Sequence, residues 1–122
     1  MTASSLDRPS LPISDLVTVA VTDVGTGVHV SVTGEVDSAS APVLRAELDV
    51  VLDAGPQEVV LDLRGVGFLD SAGLSVLAAA HRRALHEQVR LRVLASSRAV
   101  ERPMRITGLW DLLGVEQVTP GA

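Results

Sequence analysis

Residues 67–74, Gly-Phe-Leu-Asp-Ser-Ala-Gly-Leu, contain the residue types in this chain that are best placed to do chemistry. Ser71 follows Asp70 where an apolar strand pattern passes into a helical one. A serine there can cap the helix, act as a nucleophile, or serve as the hydroxyl that another protein phosphorylates. A phosphate would add about 1.5 to 2 negative charges at a helix N-terminus, where free N–H groups favour anions. It would change the surface that a partner meets more than it would change the core.

The surrounding pattern disfavours a nucleophile. A hydrolase elbow requires Gly-x-Ser-x-Gly; Gly73 fits that pattern, but Leu69 stands where the first glycine is needed. The hydrolase triad also follows the order serine, acid, histidine, and no histidine comes after Glu87, the first acid beyond Ser71. A small serine hydrolase is therefore a remote alternative. The helix cap, by Asp70 or by Ser71, stays open as the structural explanation.

Metal and cofactor chemistry lack a suitable pattern. His81 and His86 are five positions apart, whereas two zinc ligands on one helix face are usually four apart. The chain has no cysteine and no lysine, so thiolate metal sites, a phosphate-loop lysine and Schiff-base chemistry are excluded. We expect no catalytic residues, no cofactor and no metal.

Charge and composition narrow the classes of partner. The net charge is −5, yet residues 82–105 hold seven arginines against two acids. That segment is predicted to form a solvated face of helix and strand, with a docking patch for an acidic partner as the sharper alternative. Direct nucleic-acid binding is disfavoured by the net charge and by the presence of only Phe68 and Trp110 as aromatic residues. With no membrane-spanning run and no secretory signal, we expect no membrane contact and a cytoplasmic location.

Alternation of strand and helix patterns predicts an α/β domain. Runs rich in β-branched residues indicate strands at 16–21, 28–32, 58–63 and 90–94, with 115–118 as a fifth candidate. Helices are predicted from Ser38 or Ser40 to Gly55, over 71–87, from Ser96 or Ser97 to 107, and over 109–113, with a short loop at 64–69. The first two strands form a hairpin, and the later strands are parallel. The sheet is thus mixed, with four to five strands and three to four helices.

Three segments resemble the STAS domain of bacterial anti-sigma factor antagonists. Residues 33–37 are similar to the family's T-G-E-[LIV]-D, and residues 107–113 to its C-terminal T-G-L turn. Residues 60–63 followed by 68–74 resemble its strand and its D-S-[SAT]-G-L phosphorylation loop. Ala72 replaces a second serine that many members have, and Pro103 is unusual in the third helix.

The serine, proline and aspartate content of residues 1–15 predicts a flexible leader. The resemblance implies a STAS domain over 16–122 with no enzymatic activity. The unmodified domain would bind an anti-sigma factor that has a serine-kinase fold, and so release a sigma factor. That partner would phosphorylate Ser71, which weakens the complex, and a phosphatase would reset it. A STAS scaffold or transporter-partner subunit is the alternative. The residues implied to face the partner are Glu35, Asp37, Asp70, Ser71, Ala72, Gly73 and Leu74.

Overall fold

The computed structural model describes residues 17–118 and, of the preceding segment, the backbone of residues 8–11. Six strands and four helices occur within this part of the chain. Their bounds, in chain order, are β1 Arg8–Leu11, β2 Val17–Asp23, β3 Gly27–Val36, α1 Ala41–Asp53, β4 Glu58–Leu69, α2 Ser71–Glu87, β5 Arg90–Ala95, α3 Arg98–Thr107, α4 Leu109–Leu113 and β6 Glu116–Gln117.

The strands form a single sheet in which spatial order follows chain order, from β1 to β6. Strands β1, β2 and β3 pair antiparallel, and β3 to β6 pair parallel. The predicted mixed α/β fold, with a hairpin followed by parallel strands, is confirmed. The structure adds β1, inside the segment that the sequence places in the leader, because the outer edge of β2 offers unpaired backbone groups to an extended chain. The rest of that leader lies outside the described residues.

The core lies between the sheet and the helices. Alternate residues of the strands are buried, and α1 and α2 pack against each other and against β2 to β5. The short helix α4 contributes Trp110 and Leu113 to the same cluster. The largest side chains that are fully buried are Leu44, Leu61, Leu63, Leu77 and Met104.

Strand β4 is longer than the sequence pattern predicts. The segment 64–69, expected to be a loop because of its two glycines, continues the strand and pairs with β3, for example Glu35 with Phe68 and Val36 with Leu69. Register shifts at two places let the irregular segment stay paired. The extension carries β4 to the residue before Asp70. It therefore positions residues 70–74, which we call the serine loop, directly beside the end of β3.

Two details of the predicted helices also differ. Pro103 predicts a kink or a break in the third helix because it removes a helical hydrogen bond. Helix α3 nevertheless runs through Pro103, and the fully buried side chains of Val100 and Met104 on its inner face hold it in place. The spacing of Leu74, Leu77, Ala78 and Leu85 predicts the apolar stripe of α2. In the structure Leu85 is exposed, and the buried stripe includes Leu77, Ala80 and Ala84. Among the described residues, no helix has the length and apolar character needed to cross a membrane.

Candidate partner-binding site

The N-terminus of α2 is capped by Asp70. Its backbone is extended, and one oxygen of its carboxylate accepts hydrogen bonds from the backbone N–H groups of Ala72 at 2.9 Å and Gly73 at 3.2 Å. Its carbonyl accepts the first helical bond, from the N–H of Leu74 at 2.9 Å. This is the usual geometry of an acidic N-cap. Of the two capping residues that the sequence left open, the structure selects Asp70.

Ser71 is the first residue of α2 and is exposed to solvent. Its hydroxyl makes no hydrogen bond to any residue in the range 17–118, the histidines of that range included. Its carbonyl accepts a bond from the hydroxyl of Ser75, one turn later, at 2.9 Å. The Ser71 side chain is therefore accessible and is not used to cap the helix.

The end of β3 lies against the start of α2. The backbone N–H of Asp70 donates to the carbonyl of Val36 at 3.2 Å. Glu35, immediately before Val36, is exposed, and Asp37, immediately after it, is half-buried. The structure therefore brings together the two segments, 35–37 and 70–74, that the sequence identified separately.

The turn after β3 is held by its own hydrogen bonds. One carboxylate oxygen of Asp37 accepts from the backbone N–H groups of Ala39 at 2.9 Å and Ser40 at 3.0 Å. The hydroxyl of Ser40, which is fully buried, donates to the carbonyl of Glu35 at 2.6 Å. Of Ser38 and Ser40, the two candidates for the cap of α1, Ser40 occupies the N-cap position, but its side chain makes no capping hydrogen bond. The role of Asp37 is thus to order the turn, while Glu35 extends into solvent.

Two of the residues implied to face a partner are buried. Leu74 is 9% exposed, and Gly73 packs so closely on the sheet that a methyl group in place of its hydrogen would overlap Leu69 Cδ1 and lie 2.8 Å from Val36 Cγ1. Ala72 is half-buried. These three residues lie on the inner side of the serine loop. The side chains that reach the surface of the site are Glu35, Asp70 and Ser71.

Phe68 is a surface residue of this region that the sequence reasoning missed. It is 45% exposed, at the end of β4, and lines a groove together with Ile106 of α3, which is 80% exposed. Arg98 and Arg102 line the same groove. The signal available in the sequence was the i, i+4, i+8 spacing of residues 98, 102 and 106, which places them on one helix face.

A charged cluster surrounds Asp62 in the middle of β4. The guanidinium of Arg64 donates to the buried carboxylate of Asp62 at 2.7 and 2.9 Å, and His29 Nε2 lies 3.1 Å from the same carboxylate. The hydrogen bond from Arg64 is the main reason that the pKa of Asp62 falls from 3.8 to about 2; burial opposes this shift. Asp62 thus stays ionised inside the sheet. In the described ranges, no three acidic or histidine side chains are grouped to hold a metal ion.

Residues 19–114 match the family described as "Mlab, STAS domain". The chain belongs to the STAS domain family. RsfB of Mycobacterium tuberculosis, named an anti-sigma-F factor antagonist, is 34% identical over 95 residues, 78% of this chain and 77% of RsfB. The anti-sigma-B factor antagonist of Bacillus subtilis is 30% identical over 94 residues, 77% of this chain and 85% of that one.

A solved structure agrees with this assignment. The crystal structure of an anti-sigma factor antagonist from Mycobacterium paratuberculosis superposes with a TM-score of 0.78 at 34% identity, covering 90% of this chain and 91% of that one. These STAS relatives carry names of regulatory binding proteins, not of enzymes. The predicted resemblance is therefore confirmed at the level of the family.

Proposed function

We propose that this STAS domain is an anti-sigma factor antagonist controlled by phosphorylation of Ser71. The unmodified protein binds an anti-sigma factor of the serine-kinase fold in the cytoplasm and thereby frees a sigma factor. The bound kinase phosphorylates Ser71, the complex weakens, and a phosphatase restores the active form. The observation that carries the proposal is the accessible hydroxyl of Ser71, left unused by a helix that Asp70 already caps.

The geometry supports a phosphate acting as a repulsive group. The N–H groups of Ala72 and Gly73 are already occupied by the carboxylate of Asp70. A phosphate on the neighbouring Ser71 would have to displace that carboxylate or remain in solvent beside it. Either result concentrates negative charge where Glu35 and Asp70 reach the surface. A partner fitted to the unmodified hydroxyl would then meet like charge or lose a contact.

A kinase assay tests the proposal directly. The full chain is incubated with ATP and the anti-sigma factor encoded in the same cell, and the modified residue is mapped by mass spectrometry. The wild type and Ser75→Ala, a matched change at the exposed serine one turn later, should be phosphorylated at Ser71. Ser71→Ala should not be modified. Efficient phosphorylation of Ser71→Ala would refute the proposal.

A further inference from the structure

Helix α3 carries three arginines, which differ in whether other residues pair with them. Arg105 is paired with Glu101 at 2.5 Å, and its guanidinium lies 4.4 Å from the centre of the Trp110 ring. It therefore contributes to holding α3 and α4 together. Arg98 and Arg102 are exposed, and neither forms an ion pair with any residue in 17–118. They stand one turn apart on the same face, where like charges destabilise a helix.

An exposed apolar surface adjoins these two arginines. Phe68 and Ile106 line a groove of about 510 Å³ with Arg98 and Arg102, and we call these four residues the α3 groove. A second groove on the other side of Arg98, Arg102 and Ile106 continues the surface towards Ser96 and Gln117. Exposed aromatic and aliphatic side chains between unpaired cations are a combination found at interaction sites.

The α3 groove is continuous with the serine loop. Phe68 precedes Asp70 by two residues in the chain, and the hydroxyl of Ser97, at the start of α3, donates to the carbonyl of Val66 at 3.0 Å. Helix α3 is thereby attached to the same stretch of β4 that leads into Ser71. A protein that occupies the serine loop can therefore reach the α3 groove without leaving the surface.

We propose that the α3 groove binds an acidic segment of a partner protein, with an apolar side chain seated between Phe68 and Ile106 and carboxylates facing Arg98 and Arg102. Charge complementarity selects this occupant over other polyanions. Glu35, Asp37 and Asp70 lie at the neighbouring loops, and the chain as a whole carries −5, so an extended anionic surface such as DNA or a lipid bilayer would be repelled. A short acidic segment can contact Arg98 and Arg102 without reaching those acids, and Glu101, which lines the adjoining groove, is already paired with Arg105.

A peptide-binding assay on the full chain tests this surface. The probe is a fluorescein-labelled dodecapeptide of Asp and Glu with two central leucines, followed by fluorescence anisotropy at 50 and 300 mM NaCl. We expect the double variant Arg98→Glu/Arg102→Glu to weaken binding about tenfold at low salt and to remove most of the salt dependence. Phe68→Ser should weaken binding by about threefold to tenfold and leave the salt dependence intact.

Matched controls separate this site from general attraction. Arg82→Glu changes another exposed arginine of the same basic segment, which has no ion-pair partner in 17–118, and it should change affinity less than twofold. A peptide with Gln in place of every acid, and one with Ala in place of both leucines, should each bind more weakly. Equal loss in Arg82→Glu, unchanged binding by the double variant, or tighter binding to a 20-base-pair duplex or to phosphatidylglycerol vesicles would overturn the inference.

The inference goes beyond the phosphorylation switch and does not depend on it. The peptide assay uses no kinase, and Ser71→Ala should bind the peptide as the wild type does. If the peptide binds but Ser71 is never phosphorylated, the proposed function fails and the α3 groove stands. If Ser71 is phosphorylated but the groove variants bind the peptide as the wild type does, the inference about the α3 groove fails and the proposed function stands.

Discussion

The carboxylate of Asp70 accepts a hydrogen bond from the backbone N–H of Ala72 at 2.9 Å, across Ser71. The acid therefore caps α2, and the serine between the two bonded groups keeps its hydroxyl in solvent. Asp70 thus stabilises the helix, and its neighbour Ser71 is the candidate for modification. A residue that does not hold the helix can be modified, or replaced, without unfolding it.

Asp70 and Ser71 should differ clearly in their effect on stability. Asp70→Ala removes the cap and should lower the free energy of unfolding by about 1 kcal/mol. Ser71→Ala removes an exposed hydroxyl and should change it by less than about 0.5 kcal/mol. Urea unfolding followed by circular dichroism measures both. An equal loss in the two variants would show that the serine shares the capping role.

A negative charge at position 71 should weaken the partner complex and spare the fold. Ser71→Glu is expected to lower the affinity for the anti-sigma factor about tenfold or more, because it adds charge beside Asp70 at the surface of the site. Isothermal titration calorimetry measures the affinity, and a thermal scan should show little change in Tm. The control is Ser75→Glu, with the same change one turn away. A large fall in Tm for Ser71→Glu would favour a structural role for the serine.

Replacing Gly73 even with alanine should destabilise the protein. In Gly73→Ala the new methyl group would overlap Leu69 and approach Val36 Cγ1 to 2.8 Å, and both neighbours are buried. We expect a loss of about 1–3 kcal/mol in the free energy of unfolding. Gly67→Ala is the matched control, since its added methyl group would meet no atom within 4 Å. Similar stabilities of the two variants in urea would contradict this packing.

Asp62 should make stability depend on pH in the acid range. The pKa of Asp62 in the folded protein, about 2, lies below its ordinary value of 3.8. Its ionised form therefore adds stability that is present above about pH 5 and is lost as the pH falls through 2, amounting to about 2 kcal/mol. The difference in unfolding free energy between wild type and Asp62→Asn should shrink by that amount between pH 5 and pH 2. A difference that stays constant between pH 5 and pH 2 would contradict this assignment.

The ion pairs that Arg83 makes between α1 and α2 should contribute to stability. Its guanidinium is paired with Asp49 and Asp53 of α1 and, at 2.7 Å, with Glu87 of α2. The hydrogen bonds to Glu87 and to Asp53 raise the pKa of Arg83. Because the cluster is solvent-accessible, we expect Arg83→Met to cost only about 1–2 kcal/mol, less at 1 M salt. Arg82→Met should cost less than about 0.5 kcal/mol. Urea titrations at low and high salt test this, and an effect insensitive to salt would argue against the ion pairs.

Much of the fold could be predicted because local patterns agree with the tertiary contacts. The runs of valine and leucine in β2, β3 and β5, and the start of α2 at Ser71, were read correctly from residue spacing. The loop predicted at 64–69 was wrong, since pairing with β3 outweighs the glycines in that segment. The sequence did not predict strand β1 for a related reason: it pairs with the edge of β2, and no local pattern indicates such a pairing.

The sequence by itself determined the α/β order and the family, and it singled out Ser71 as the candidate for modification, because these depend on short motifs and on the spacing of apolar residues. Only the tertiary structure decided which groups are free. Asp70, Arg83 and Arg105 have partners, whereas within residues 17–118 the Ser71 hydroxyl has no hydrogen bond and Arg98 and Arg102 have no ion pair. The arginines differ because packing brings Asp53 of α1 to Arg83 and the Trp110 ring of α4 to Arg105. Folding sets those partners by packing helices on a sheet, and what it leaves unpaired at the surface is available for binding.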